Sequence, residues 1–380
     1  MAKYRFEQIA INCTEKKMPT DEDRLTYIGL EHLDTGCLTI SRWGSAVPLK
    51  GEKLVMHKGD VLLGKRNAYL RRAAIAPHDG IFSAHGMVLR PREEVIDKTF
   101  FPLFIASDYF FDEAIRISVG SLSPTVNWKD LRITEFELPD LETQRRFASV
   151  LWAINDTIEA YKRLISVTDE LVKSQFIEWF GDPITNPMSW ETKPLLDVGK
   201  CKNGMNFSTK DKGVNILCLG VADFQNRLTI NESTPLTEIS LNEMPGGDYL
   251  LKDGDIVFVR SNGNKELVGR SVLVNLGAKV VTFSGFCIRF RKNTDQLNII
   301  YLLHLLRTAS VRKKLRGQGA NVQNLSQQTL AAIDVPLPPL PLQEQFAAFV
   351  RQSDKSKFEL EQALSELTAT YKRIISEQLG

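Results

Sequence analysis

The chain has 380 residues, too long for one typical domain, and its 43% apolar and 25% charged composition excludes disordered, collagen-like and disulfide-scaffold classes. Its 48 basic and 46 acidic residues sum to +2, which excludes a uniformly basic nucleic-acid coat but not a local basic face. The five cysteines (Cys13, Cys37, Cys201, Cys218 and Cys287) are scattered and form no C-x-x-C pair. With no apolar leader-like or membrane-spanning run, the expectation is a cytoplasmic protein with reduced thiols and no membrane contact.

In chain order, short apolar runs predict strands at Asp60-Val61-Leu62-Leu63 and Met87-Val88-Leu89, followed by a helical stretch over 100–117. A long helix is predicted over 142–180. Its apolar residues keep 4-3 spacing at Phe147, Leu151, Ile154, Ile158, Tyr161, Ile165, Val172 and Trp179, with Thr168 and Gln175 at the two other seam positions. The segment 181–187 contains Gly181, Pro183 and Pro187 and ends that helix. Strands follow at Asp255-Ile256-Val257-Phe258-Val259 and Cys287-Ile288-Arg289-Phe290, then a helical stretch over 297–315. The proline-rich segment 335–341 reads as a stiff entry into a helix in preference to an SH3-type ligand. The last helix, over 341–379, carries a seam of Phe346, Val350, Leu360, Leu364, Leu367, Tyr371 and Ile374, with departures at Ser353, Lys357 and Gln378. Such spacing over about five heptads argues for a coiled coil rather than two amphipathic helices, each packed on its own domain. A 39-residue helix is roughly 58 Å long.

The two halves are copies of one plan. Leu131, Leu138, Pro139, Leu141, Gln144, Phe147 and Gly181 recur 199 positions on as Leu330, Leu337, Pro338, Leu340, Gln343, Phe346 and Gly380. Upstream, Gly59-Asp60-Val61 matches Gly254-Asp255-Ile256, and Phe82-Ser83 matches Phe283-Ser284. The fold class is therefore α+β: two duplicated globular domains, each followed by a long helix.

Catalytic signals fail. Gly59 to Arg66 fits G-x-x-x-x-G-K but ends in arginine, where a phosphate-binding loop needs Ser or Thr to hold Mg²⁺. No H-x-x-x-H pair, Gly-rich cofactor loop, G-x-S-x-G elbow or Asn-Pro-Pro-aromatic tetrapeptide occurs, and His78 with His85 reads as two ordinary histidines, so neither a catalytic nor a metal-binding set is assigned. Charge, in contrast, is concentrated. The window 58–92 holds seven basic and two acidic residues, the matching window 260–292 holds seven and one, and 307–316 adds five basic residues with no acid. This suits a phosphate-contacting face for double-stranded DNA. Candidate DNA contacts are Lys65, Arg66, Tyr69, Arg71 and Arg72 in the first half, and Arg260, Asn262, Asn264, Lys265, Arg270, Lys313, Lys314, Gln318, Asn321 and Gln323 in the second. Among them, arginines can bridge guanine and Asn/Gln can pair with adenine. For each residue alone, a solvated surface group is the competing reading.

Together these features resemble the specificity (S) subunit of type I restriction–modification enzymes. The likeness rests on Leu138-Pro139-x-Leu141-x-x-Gln144 leading into a helix that ends Trp179-Phe180-Gly181-Asp182. It rests equally on Pro336-Leu337-Pro338-Pro339-Leu340 with Gln343-Glu344-Gln345, and on Gly64 to Arg71 as one type of target-recognition domain. The resemblance implies target-recognition domains at 1–140 and 182–340, and conserved spacer helices at 141–181 and 341–380 packed as an antiparallel coiled coil. It implies that each domain reads one half of a bipartite DNA site, with the helices setting the gap. It also implies two methyltransferase (modification) subunits and restriction subunits as partners, carrying S-adenosylmethionine, ATP and Mg²⁺, with none of these on this chain. A chain with its own nuclease or methyltransferase activity, the specificity subunit of a related type II system, and a pure coiled-coil scaffold are the alternatives.

Overall fold

A computed structural model describes residues 1–208, 210–225, 227–316 and 324–379. The chain divides into two compact units, Met1–Arg163 with Glu361–Gly380, and Leu164–Leu360.

The first unit opens with β1 (Ala2–Arg5), a single helical turn α1 (Phe6–Ile9) and β2 (Ala10–Cys13). There follow β3 (Lys16–Lys17), β4 (Tyr27–Ile28), β5 (Lys53–Met56), β6 (Val61–Gly64), β7 (Ala73–Ile75), β8 (Gly80–Phe82) and β9 (Gly86–Pro91). They form two four-stranded sheets, ordered β2-β9-β6-β7 and β3-β5-β8-β4. Strand β6 is buried on both faces, which explains its unbroken apolar run. Val61 and Leu63 point into one core cluster, and Leu62 points into the other with Phe82 and Val88. Helices α2 (Phe101–Ile105), α3 (Asp108–Arg116) and α4 (Trp128–Leu131) cover the first cluster. The Ser107 hydroxyl caps α3 by accepting from the Phe110 amide. The chain then returns through β10 (Glu135–Leu138), antiparallel to β1, and enters α5 (Leu141–Phe180).

The second unit repeats the scheme. Strand β11 (Thr192–Pro194) pairs with β20 (Asp334–Pro336) as β1 does with β10. Between them lie β12 (Gly199–Asn203), β13 (Val214–Leu219), β14 (Thr229–Asn231), β15 (Thr237–Leu241), β16 (Ile256–Val259), β17 (Ser271–Asn275), β18 (Val281–Phe283) and β19 (Cys287–Lys292). Helices α6 (Ile299–Arg307), α7 (Ala309–Leu315) and α8 (Gln327–Ala331) precede α9 (Leu340–Leu379). The main sheet, β12-β19-β16-β17-β14, keeps the first unit's register, with Val61 opposite Leu89 and Ile256 opposite Phe290. The smaller sheets differ: β5 pairs with β8, whereas β15 pairs with β13 in the order β15-β13-β18.

Two duplicated devices lock each unit. Asp60 is 5% exposed and binds the Arg90 guanidinium through both oxygens at 2.6 and 3.0 Å, and Asp255, 1% exposed, holds Arg291 at 2.7 and 2.7 Å. Gln144 and Gln343 are fully buried. Gln144 Oε1 accepts from the Asp97 amide while Nε2 donates to the Val95 and Pro139 carbonyls. Gln343 accepts from the Asn298 amide and donates to the Gln296 and Pro338 carbonyls. Each glutamine thereby ties the start of its long helix to the sheet-to-helix loop beneath it.

The long helices pack together within each unit. In the first, Ala148 and Leu151 of α5 share a core with Tyr371, Ile374 and Ile375 of α9. In the second, Trp179 lies against Phe346 and Phe349, and Asp169 meets Lys357, so α5 and α9 run antiparallel. The expected seam positions Phe147, Leu151, Ile154, Ile158, Tyr161, Ile165 and Val172, and Phe346, Val350, Leu360, Leu364, Leu367, Tyr371 and Ile374, are all buried or half-buried. The contact is one position wider than strict 4-3 spacing: Phe176 and Phe180 are 1% and 2% exposed, deeper than the predicted Gln175 and Trp179. Among the described residues no helix is long and apolar enough to cross a membrane.

Candidate nucleic-acid interface

Each main sheet ends in a ledge. In the first unit, β6 runs out at Gly64, and the next residues are pinned across to the loop 119–126. The Lys65 carbonyl accepts from the Val126 amide at 2.9 Å, and Arg66 forms a bridge with Thr125. In the second unit, β16 runs out at Val259. The Arg260 carbonyl accepts from the Leu325 amide at 2.8 Å, and Ser261 bridges to Asn324. Val126 and Leu325 are 199 positions apart, as are Thr125 and Asn324, so the two ledges are one device made twice. The return strands agree: Gly64 donates to the Arg72 carbonyl and Val259 to that of Arg270, both at 2.9 Å.

On the first ledge, Arg66 and Tyr69 are exposed, Tyr69 by 55%. The backbone adopts the left-handed region at two non-glycine residues, Asn67 (φ 56°) and Arg71 (φ 47°). Such strain concentrates where a surface is held for contact. Arg71 is committed within the unit: its guanidinium meets Asp108 and, at 2.6 Å, Asp112, both on α3. Arg72 is half-buried, with its Nε shielded from solvent and unpartnered among the described residues. Lys65 lines a cavity of about 350 Å³ with Lys16, Asn12, Asn127 and Trp128. Burial, helped by the Lys16 charge, holds its ammonium below the ordinary lysine pKa. Lysine, asparagine and indole donors around one concavity can hydrogen-bond acceptor edges of bases.

On the second ledge, Arg260 donates its Nη1 to the Gly285 carbonyl at 3.2 Å. Asn262 and Asn264 use their side-chain oxygens locally, accepting from the backbone amides of Asn264 and Glu266. Lys265 is exposed beside them. Arg270 Nη1 donates to the Gln225 carbonyl at 2.7 Å, and Lys313 and Lys314 are exposed on α7. Gln318, Asn321 and Gln323 lie outside the described residues.

Sequence reasoning missed two parts of these ledges. The loop 119–126 carries Leu122, 94% exposed, and corresponds by the 199-residue offset to the segment of Gln318 and Asn321, so reading the repeat across would have found it. The turn after Phe82 and Phe283 presents His85 and Phe286, and Phe286 is 60% exposed with its carbonyl accepting from the Arg260 amide. Among the described residues no group of three or more His, Cys, Asp or Glu side chains is placed to hold a metal ion.

A family model described as the type I restriction modification DNA specificity domain matches residues 17–168 and again 187–368. The chain is similar to the type I restriction enzyme StySPI specificity subunit of Salmonella potsdam, 22% identical over 79% of this chain and 68% of that protein. It is also similar to the MjaVIII specificity subunit of Methanocaldococcus jannaschii, 21% identical over 90% of this chain and 83% of that one. Its fold is like that of a chain solved in a study of complex assembly in a type I restriction–modification system. The TM-score is 0.59 at 20% identity, covering 100% of this chain and 97% of that one. The S subunit of M. genitalium gives 0.58 at 12% identity, with 100% and 96% covered.

Proposed function

The chain belongs to the type I restriction–modification DNA specificity family, and from that premise we propose that it selects the DNA sequence on which such a complex acts. Each ledge reads one half of a bipartite site in double-stranded DNA. The observation that carries this reading is the duplication of the ledge itself, in which Lys65–Val126 and Arg260–Leu325 present basic and amide side chains from equivalent strand ends. Residues 1–140 and 182–340 act as the recognition domains, and 141–181 and 341–380 as the spacer whose length sets the gap. The chemistry belongs to partners: two methyltransferase subunits with S-adenosylmethionine, and restriction subunits with ATP and Mg²⁺. The chain itself is the non-catalytic member. Two readers on one chain turn the second half-site contact into an intramolecular event, so modest half-site affinities multiply.

The test is expression of the chain with its methyltransferase partner, followed by methylation-sensitive sequencing of host DNA. A two-part adenine-methylated motif with an unspecified gap is expected, and purified chain alone should neither methylate nor cleave. A continuous motif, or methylation by the chain alone, overturns the reading.

A further inference from the structure

Within the second unit, a cavity of about 860 Å³ lies among α5, β17, the α6–α7 corner and α9. Five arginines line it, Arg227, Arg270, Arg307, Arg312 and Arg316, and with two lysines they face four carboxylates, leaving an excess of three positive charges. Two of the carboxylates are ion-paired, Asp169 with Lys357 at 2.8 Å and Glu266 with Arg316 at 2.6 Å, and Asp182 accepts from the Ile184 amide at 2.9 Å. Arg270, Arg307 and Arg312 are instead fixed by backbone carbonyls, those of Gln225, Ser271 and Glu266, at 2.7, 2.8 and 3.1 Å. Their guanidiniums are thus oriented, and among the described residues none of the three has an ion pair of its own. Arg312 Nη1, Arg316 Nε and His304 Nε2 are shielded from solvent, with no hydrogen-bond partner among the described residues. Burial, with the charges of Arg316, Arg270 and Arg307, pushes Arg312 down to about 10. An orphaned buried donor is costly, and like charges at close range add to that cost.

The first unit shows that the shared fold does not require this arrangement. There the equivalent helix, α3, carries Asp108, Asp112 and Glu113, which pair with Arg71 and Arg116. The second unit's α7 has three basic residues and no acid. Preset guanidinium forks, orphaned donors and a small-molecule-sized cavity call for a compact polyanion whose oxygens accept in pairs.

We propose that this cavity is a binding site for a phosphate-bearing ligand of about three negative charges, an oligophosphate or phosphate ester, held by Arg270, Arg307 and Arg312. The inference goes beyond the DNA reading and does not depend on it. The same chemistry has two sources, a free phosphorylated molecule or a backbone phosphate of bound DNA, and the experiment separates them.

The full chain is melted with sodium tripolyphosphate at constant ionic strength. A rise in Tm of roughly 5–10 °C at a hundredfold excess over Kd is expected for the transition that unfolds this unit. Arg312→Gln should lose at least tenfold in tripolyphosphate affinity while melting no lower than the parent without ligand, because it removes a repelled charge and an orphaned donor. Arg270→Gln, beside Arg312 on the cavity wall, should lose affinity as well and serves if the first variant misfolds. If a DNA duplex displaces tripolyphosphate, the source is the DNA backbone; if both bind together, it is a free ligand. No Tm rise beyond the matched-salt control, or an equal rise in the variants, overturns the proposal.

Discussion

Buried Gln144 makes three hydrogen bonds to backbone groups, so its loss is felt as unsatisfied polar atoms rather than as lost volume. Gln144→Met, close to isosteric, should lower the stability of the first unit by roughly 3 kcal/mol in denaturant unfolding. Gln343→Met should do the same to the second unit alone. His304 gives a different signature. Burial first, then the Arg307 charge, pushes it down to about 4 from an ordinary 6.5. Between those values the unfolded chain takes up a proton that the folded chain refuses, so stability falls as pH drops from about 6.5 to 4, by up to roughly 3 kcal/mol. Asp354, raised by burial, acts in the opposite sense and offsets part of the loss. His304→Asn should flatten the midpoint-against-pH curve in that window; an unchanged slope excludes this origin. Such roles were only half readable from the sequence. Gly59-Asp60-Val61 and Gly254-Asp255-Ile256 stood out as a repeat, but the arginines they hold lie 30 and 36 residues away, a pairing that sheet register alone creates.

At the scale of elements, periodicity carried the long helices well, because 3.6-residue geometry forces every buried contact to recur along one stripe. It failed where the partner is not another helix. Phe176 and Phe180 pack on Tyr301 of α6 as well as on Phe346, so that face of α5 answers to two neighbours and spreads beyond the strict seam. The seam departures acquire reasons too. Ser353 is a small residue that is 9% exposed, and the Lys357 ammonium meets both Asp169 oxygens at 2.8 and 2.9 Å. A charged pair at one seam position favours one alignment of two helices over its slipped alternatives. Because both side chains keep some solvent contact, Lys357→Ala should cost only about 1 kcal/mol. The double variant Lys357→Leu with Asp169→Leu should regain that stability. A double-mutant cycle with no coupling shows that the pair contributes no alignment energy.

For the whole molecule, what matters is whether the two ledges act independently. The two basic windows mark the ledges only in part, since Arg90, Arg291 and Arg71 are held by Asp60, Asp255 and the α3 carboxylates; the boundaries were not legible, since each ledge is closed by a loop distant in sequence. Lys65 depends on Val126, and Arg71 depends on Asp108 and Asp112, all within the first unit. The exchangeable piece is therefore 58–126, not 58–92 alone. Replacing 58–126 with the matching segment of a relative should change one half of the methylated motif and leave the other half unaltered. Replacing 58–92 alone separates Arg71 from its carboxylates and should weaken binding without installing a new half-motif. Arg66→Ala offers a graded version of the same test. Arg66 is exposed at the ledge and has no ion pair among the described residues. If it contacts phosphate, its loss lowers affinity for all sequences alike and reduces the salt slope by about one. If it reads a base, discrimination at one position of the first half-motif falls by about 1–3 kcal/mol. A fluorescence-anisotropy titration across salt concentrations, on duplexes mutated in one half-motif at a time, separates the two. A change in the second half-motif on either exchange contradicts independent readers.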